Sequence, residues 1–104
     1  MKTVFIPMTE KNVDKILKGI KTSTLRTKSS AKKIGLEKDE SAFCYFKGIK
    51  HKIKNLGFLT VDEAGGFDKV WKSEGFLDDG PMFDSTKKWL KGEGQLYFYL
   101  ITKI

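Results

Sequence analysis

The sequence predicts an α+β domain, a small and mostly antiparallel β-barrel with short helices packed at its ends. Three observations carry that reading. A chain of 104 residues is the size of one ordinary domain and too short for two separate cores, so residues 1–104 are expected to form a single unit. Apolar residues recur at spacings of two in some stretches and near 3.6 in others, so strands and helices are both present. The strands are interleaved with short helices and do not form βαβ units of parallel-sheet length, and no internal repeat intervenes.

Along the chain, Lys2 to Ile6 reads as a first strand, and Thr9 as the N-cap of a helix running to about Lys18. Val13, Ile16, Leu17 and Ile20 fall at the i, i+3, i+4, i+7 spacing of one buried stripe, and Gly19 stands where a C-terminal glycine is expected. Thr22 to Thr27 is rich in β-branched residues and reads as a strand with Thr22, Thr24 and Arg26 on one face. Lys28 to Ser41 is polar and without period, which predicts a long surface loop. Ala42 to Lys47 and His51 to Val61 read as a hairpin turning at Gly48 to Lys50, with a bulge at Gly57. Gly65 and Gly66 precede a short helix carrying Phe67, Val70 and Trp71, and Glu74 sits just beyond it. A further helix is expected from Asp84 or Ser85 to Gly92 around Trp89, then a closing strand from Gln95 to Thr102.

Composition narrows the function classes. With 39% hydrophobic and 12% aromatic residues, the chain has the makings of a packed core. The lone Cys44 cannot pair within the chain, so a reducing, cytoplasmic setting is expected. Val4 to Ile6 is too short an apolar run for a leader or a membrane span, so no membrane partner is expected. Twenty Lys and Arg against thirteen Asp and Glu give a net charge of +7, which attracts polyanions. Nearly all of that charge is lysine, and Arg26 is the sole arginine. Because phosphate forks prefer arginine, this favours a local contact over extensive duplex binding.

Metal chemistry needs several convergent His, Cys or carboxylate ligands, and the chain offers one histidine and one cysteine, so no metal and no cofactor are expected. Cys44 alternates with Ala42 and Phe46 and reads as core, while His51, among Lys50, Lys52 and Lys54, reads as an exposed strand residue. The glycine spacings match neither a Walker loop nor a dinucleotide fingerprint. Polar chemistry concentrates instead in Gly19 to Arg26, which packs a lysine, three hydroxyls and the arginine into a helix-to-strand junction. Lys21 and Thr24 differ by an odd number, so they can meet only if Lys21 lies in the turn that Gly19 permits.

This segment resembles the ASCH domains, relatives of the PUA RNA-binding barrel, whose pattern after the first helix is Gly-x-Lys-x-x-Glu-x-Arg. Gly19, Lys21 and Arg26 match it, and Thr24 takes the Glu place. The likeness runs on through the Ile16-Leu17-Lys18-Gly19 lead-in, Glu74-Gly75-Phe76 after the mid-chain helix, the Trp89 helix and the aromatic closing strand. Gly35-Leu36-Glu37 stands where many relatives carry a Gly-Asp pair. The resemblance implies a PUA-like barrel. Thr24 makes the chain look like the small bacterial subgroup that hydrolyses N4-acetylcytidine to cytidine and acetate, and that likeness implies a catalytic set of Lys21, Thr24 and Glu74.

Such a reaction needs a hydroxyl nucleophile, a base for its proton and donors for the oxyanion. Thr24 suits the first role and Lys21 the second, provided burial or Arg26 lowers the lysine by roughly three units from about 10.4, a cost of about 4 kcal/mol. Glu74 would orient the lysine or relay a proton, although its charge alone would raise the lysine pKa. Arg26 and Thr22 are candidates for holding the substrate, and Phe76 or Tyr45 for stacking on the pyrimidine. Each residue also has a plain structural reading: Thr22 and Thr24 as strand residues, Lys21 as a helix C-terminal charge, Arg26 and Glu74 as an ion pair. Two other functions remain open. One is a non-catalytic RNA-binding module, on the net charge and the basic runs Lys28 to Lys38 and Lys47 to Lys54; the other is a ribonuclease, disfavoured because no histidine pair exists. The expected partner is a modified nucleoside or RNA, and the expected state a monomer.

Overall fold

A computed structural model describes residues 1–60, 63, 67–75 and 96–104. The element order is α1 (Glu10–Leu17), β1 (Ser23–Arg26), α2 (Lys28–Ile34), β2 (Ser41–Phe46), β3 (Ile49–Leu59), α3 (Phe67–Ser73) and β4 (Leu96–Lys103). The expected helix around Trp89 lies outside the described residues. The strands form one antiparallel sheet in the order β1-β4-β3-β2. Among the described residues this sheet is not closed, with β1 and β2 at its two edges, so the fold shown is α+β around a four-stranded antiparallel sheet.

The local grammar explains most elements. Thr9 caps α1 by accepting from the Asn12 N–H, and Gly19 follows at φ +76°, a left-handed conformation that glycine adopts without strain. Ile16 buries, with Val13 and Leu17 packed against the core, but Ile20 lies past the helix and is half exposed. The bulge falls between Asn55 and Gly57, where the Asn55 Oδ1 accepts from the Gly57 N–H at 2.8 Å while its amide donates to Leu36 O at 2.9 Å.

Three expectations need correction. Lys2 to Ile6 is not a strand: a single parallel bridge joins Thr3 to Phe43, through Val4 N–H to Phe43 O and Phe43 N–H to Lys2 O. Lys28 to Ser41 is not a loop throughout, because Thr27 caps α2, Ala31 and Ile34 bury one turn apart, and Gly35 closes the helix at φ +78°. His51 is not exposed. It is 1% accessible, its ring set edge-on to Phe46, with Nδ1 donating to Ile49 O at 2.9 Å.

Register then fixes two faces. Ala42, Cys44, Phe46, His51, Ile53, Asn55, Tyr99 and Ile101 share the face toward α1 and α2, and most of them build the main core with Ile6, Ile16, Ala31, Ile34 and Leu36. Cys44 is thus core packing, as expected. Thr24 pairs with Tyr99 and Arg26 with Tyr97, so both extend that inner face at the β1 end. Leu25 and Phe98 point the other way and are also buried, each such side chain contributing about 1.5–3 kcal/mol.

Candidate functional site

As the outermost described strand, β1 has an edge whose backbone groups need partners. The end of α3 supplies them. Ser73 O accepts from the Thr22 N–H at 2.6 Å, and the Glu74 carboxylate accepts from the Leu25 N–H at 3.2 Å. The same carboxylate accepts from Ser23 Oγ at 2.8 Å and pairs with Lys21 Nζ at 3.0 Å. Because Glu74 sits at the strand edge, it reaches Ser23 on the outer face and Lys21 on the inner one.

Lys21 gets there through the turn. Ile20 and Lys21 both donate their N–H to Lys15 O, at 2.9 and 3.1 Å, which folds the chain back between α1 and β1 before the strand begins. Gly75, at φ +84°, presses against this turn, and a Cβ there would stand 3.3 Å from Lys21 Cβ and 3.2 Å from Lys15 Cδ. A side chain at that position would therefore meet both backbone strain and crowding.

Lys21, Thr24, Arg26 and Glu74 line one pocket of about 510 Å³, completed by Pro7, Met8, Thr9 and Asn12. That volume is within the range of small-molecule sites, about 300–1,000 Å³. Thr24, Lys21 and Glu74 are 3%, 5% and 3% accessible. Among the described residues no hydrogen bond engages the Thr24 hydroxyl, and Thr24 contacts neither Lys21 nor Glu74 through one. Arg26 Nη2 donates to Pro7 O at 2.8 Å, while its buried Nε has no acceptor among the described residues. The hydroxyl of Tyr99, the strand partner of Thr24, is likewise buried without a partner among the described residues.

Burial dominates the electrostatics. It pulls Lys21 below its ordinary 10.5 against the opposing pull of Glu74, with Arg26 and Lys15 adding to the depression. It pushes Glu74 above 4.5, against Lys21, Ser23 and the Leu25 N–H. Both shifts disfavour charge, so the proton between Nζ and the carboxylate is easier to move than it would be in water. Burial also depresses Arg26, with Glu74 opposing, and raises Tyr99 to about 12.

No family model, curated protein or solved structure matches this chain. Its site therefore rests on its own geometry. The pocket brings together Lys21, Thr24, Glu74 and Arg26. Thr22 is exposed and outside it. Tyr45 is half exposed in a neighbouring groove with Phe5, Met8 and Val13, so it is not placed to stack on a ring beside Thr24. Phe76 lies outside the described residues. Ser23, Asn12 and the Pro7–Met8 wall were not foreseen as site residues; Ser23 could have been, since a buried carboxylate needs hydroxyl or N–H donors and Ser23 is two residues from Lys21. Among the described residues no three His, Cys, Asp or Glu converge, and no helix is long and apolar enough to cross a membrane.

Proposed function

We propose that this protein is an amidohydrolase that cleaves the N4-acyl amide of N4-acetylcytidine or a related acylated cytosine compound. One observation carries the reading: a buried lysine, depressed below its ordinary pKa and 3.0 Å from a buried carboxylate, shares a ligand-sized pocket with a threonine whose hydroxyl has no hydrogen-bond partner among the described residues. The ASCH likeness supplies the substrate class, and with it a small PUA-like barrel and a monomeric cytoplasmic enzyme.

In this reading neutral Lys21 takes the proton of Thr24 Oγ1 as that oxygen attacks the acyl carbon. Arg26 faces the oxyanion of the tetrahedral intermediate, a role in which one donor is worth about 10²–10³ in rate. The Lys21 ammonium returns its proton to N4 as cytidine leaves. Water then hydrolyses the Thr24 ester with Lys21 again as base, and acetate departs. Glu74 orients Nζ and shares its proton, held in turn by Ser23 and the Leu25 N–H. General-base catalysis of this kind is worth about 10²–10⁴.

Chromatographic measurement of cytidine and acetate released from N4-acetylcytidine tests the proposal. Wild type should turn over, and Thr24→Ala should lose at least about 10²-fold in kcat while remaining folded. A folded wild type that releases no cytidine sinks the hydrolase reading. A second reading, an RNA-binding module without catalysis, is favoured by the +7 charge and by Phe5 standing 77% exposed. It requires RNA affinity that falls steeply with salt, and unchanged RNA mobility at low salt eliminates it.

A further inference from the structure

The Arg26 side chain is a wall between two pockets. Beside the Lys21–Thr24–Glu74 pocket lies a second one of about 410 Å³, lined by Phe5, Pro7, Arg26, Ser30, Lys33 and Ile34. Pro7 and Arg26 belong to both, and the 2.8 Å bond from Arg26 Nη2 to Pro7 O runs along their common boundary. The second pocket contains two cations and a hydroxyl, and none of the described residues in its lining is a carboxylate. Among the described residues Lys33 forms no ion pair. The Thr27 hydroxyl donates to Ser30 Oγ at 3.3 Å, which leaves the Ser30 proton free to donate elsewhere. Arg26 Nε, buried and without an acceptor among the described residues, is a further unused donor on this side chain. Ile34 gives the pocket an apolar floor, while Phe5 keeps its ring largely in solvent at the rim.

Two cations with a hydroxyl donor are what an oxyanion bearing several acceptors requires, and an exposed ring beside them suits the flat face of a base or sugar. We infer that the two pockets form one bipartite site for a phosphorylated nucleoside. The modified base occupies the Lys21–Thr24–Glu74 pocket, and the phosphate sits between Arg26 and Lys33 with Ser30 donating to it. Phe5 covers the ribose-phosphate end, or the next base where the phosphate is a diester. The identity of the base rests on the amidohydrolase reading; the phosphate half rests on the second pocket.

The test compares N4-acetylcytidine with its 5′- and 3′-monophosphates and with an acetylated dinucleotide, using wild type and Lys33→Glu. Lys33 is exposed, so the substitution leaves the fold intact. A phosphate is expected to raise kcat/KM roughly tenfold or more, mostly through KM, which is the weight of one charge-assisted hydrogen bond. Lys33→Glu should erase that gain while leaving nucleoside turnover unchanged. A gain with the monophosphates identifies a terminal phosphate as the ligand, and a gain confined to the dinucleotide identifies a diester within a chain. Equal kcat/KM for nucleoside and every phosphorylated form overturns the bipartite site and leaves the hydrolase standing. Should no substrate be hydrolysed, calorimetry with cytidine and cytidine monophosphate still decides: tighter monophosphate binding that Lys33→Glu abolishes upholds the site, and equal or absent binding refutes it.

Discussion

The two edges of the sheet solve one problem by different chemistry. At the β2 edge, backbone meets backbone: Val4 and Phe43 exchange hydrogen bonds of 2.9 Å with Phe43 and Lys2, and the residues inward of them are Ala42, Cys44 and Phe46. At the β1 edge, among the described residues, only the Thr22 N–H meets a backbone carbonyl, that of Ser73; beyond it a carboxylate takes the place of a strand, and the buried residues around it are Lys21, Ser23 and Thr24. A backbone partner has no charge state to change. A side-chain partner does, and a carboxylate buried there also requires a cation. Satisfying an edge with Glu74 thus brings a buried titratable pair into the fold beside a pocket, whereas the ion pair at the end of β2, Lys47 with Asp14 at 2.7 Å, is exposed to solvent.

The largest effect expected from this difference comes from breaking the pair. Lys21→Met leaves Glu74 buried without its counter-ion and should cost about 3–5 kcal/mol of unfolding free energy. In the double variant Lys21→Met with Glu74→Gln, the amide carbonyl still accepts from the Leu25 N–H but no charge needs compensation, so much of that loss should return. Denaturant titration of the four species in the cycle measures the coupling. If the double variant is as unstable as the sum of the singles, the pair is not coupled and the contrast between the edges fails.

How much of this contrast is legible in the sequence depends on the residue. The α1 cap at Thr9, the stripe through Ile16 and the bulge at Gly57 follow from local rules and hold. Lys21 and Thr24 sharing a pocket follows from the turn at Gly19. Glu74 is 53 residues from Lys21, and no local rule joins them; the family resemblance alone put them together. The α2 helix is hidden because seven residues with Ala31 and Ile34 as their buried pair are too few to display a period. The pocket that α2 helps to line was therefore hidden as well. His51 is a different kind of miss. Its signal was present, since Lys50, Lys52 and Lys54 alternate outward and leave His51, Ile53 and Asn55 facing in. Three flanking charges outweighed the alternation that explains them.

The pair should also have a pH signature of its own kind, because burial drives both of its shifts, whereas hydrogen bonds lower the partly exposed Asp14 and Glu40 beside β2. With Lys21 as base, kcat/KM should fall about tenfold per pH unit on the acid side of its pKa, with the break below the ordinary 10.5 because burial depresses it. The stability signs follow from proton counts. Between the depressed Lys21 value and 10.5 the unfolded chain binds the extra proton, so stability rises with pH; between 4.5 and the raised Glu74 value the folded chain binds it, so stability falls with rising pH. Both shifts thus subtract from stability where both groups are charged, and the Lys21→Met, Glu74→Gln variant should lose both slopes. Scans should stop below pH 10, since Tyr99, raised from 10.0 to about 12, adds a separate loss of stability above that point.

The smallest effect belongs to the same inner face nearer its β2 edge and serves as the control. Ile53 is fully buried on the inner face between β2 and β4, paired with Ala42 and Ile101 and surrounded by apolar side chains. Ile53→Val should cost about 0.5–1.5 kcal/mol through one lost methyl and the space it leaves. It should leave both the acid limb of kcat/KM and the pH slope of stability unchanged, because its strand partners Ala42 and Ile101 carry no titratable group. A stability loss of that size accompanied by a shifted acid limb would mean that packing on the β2 side sets the position of Lys21 through β3 and β4, and the two edges would then have to be treated as one device.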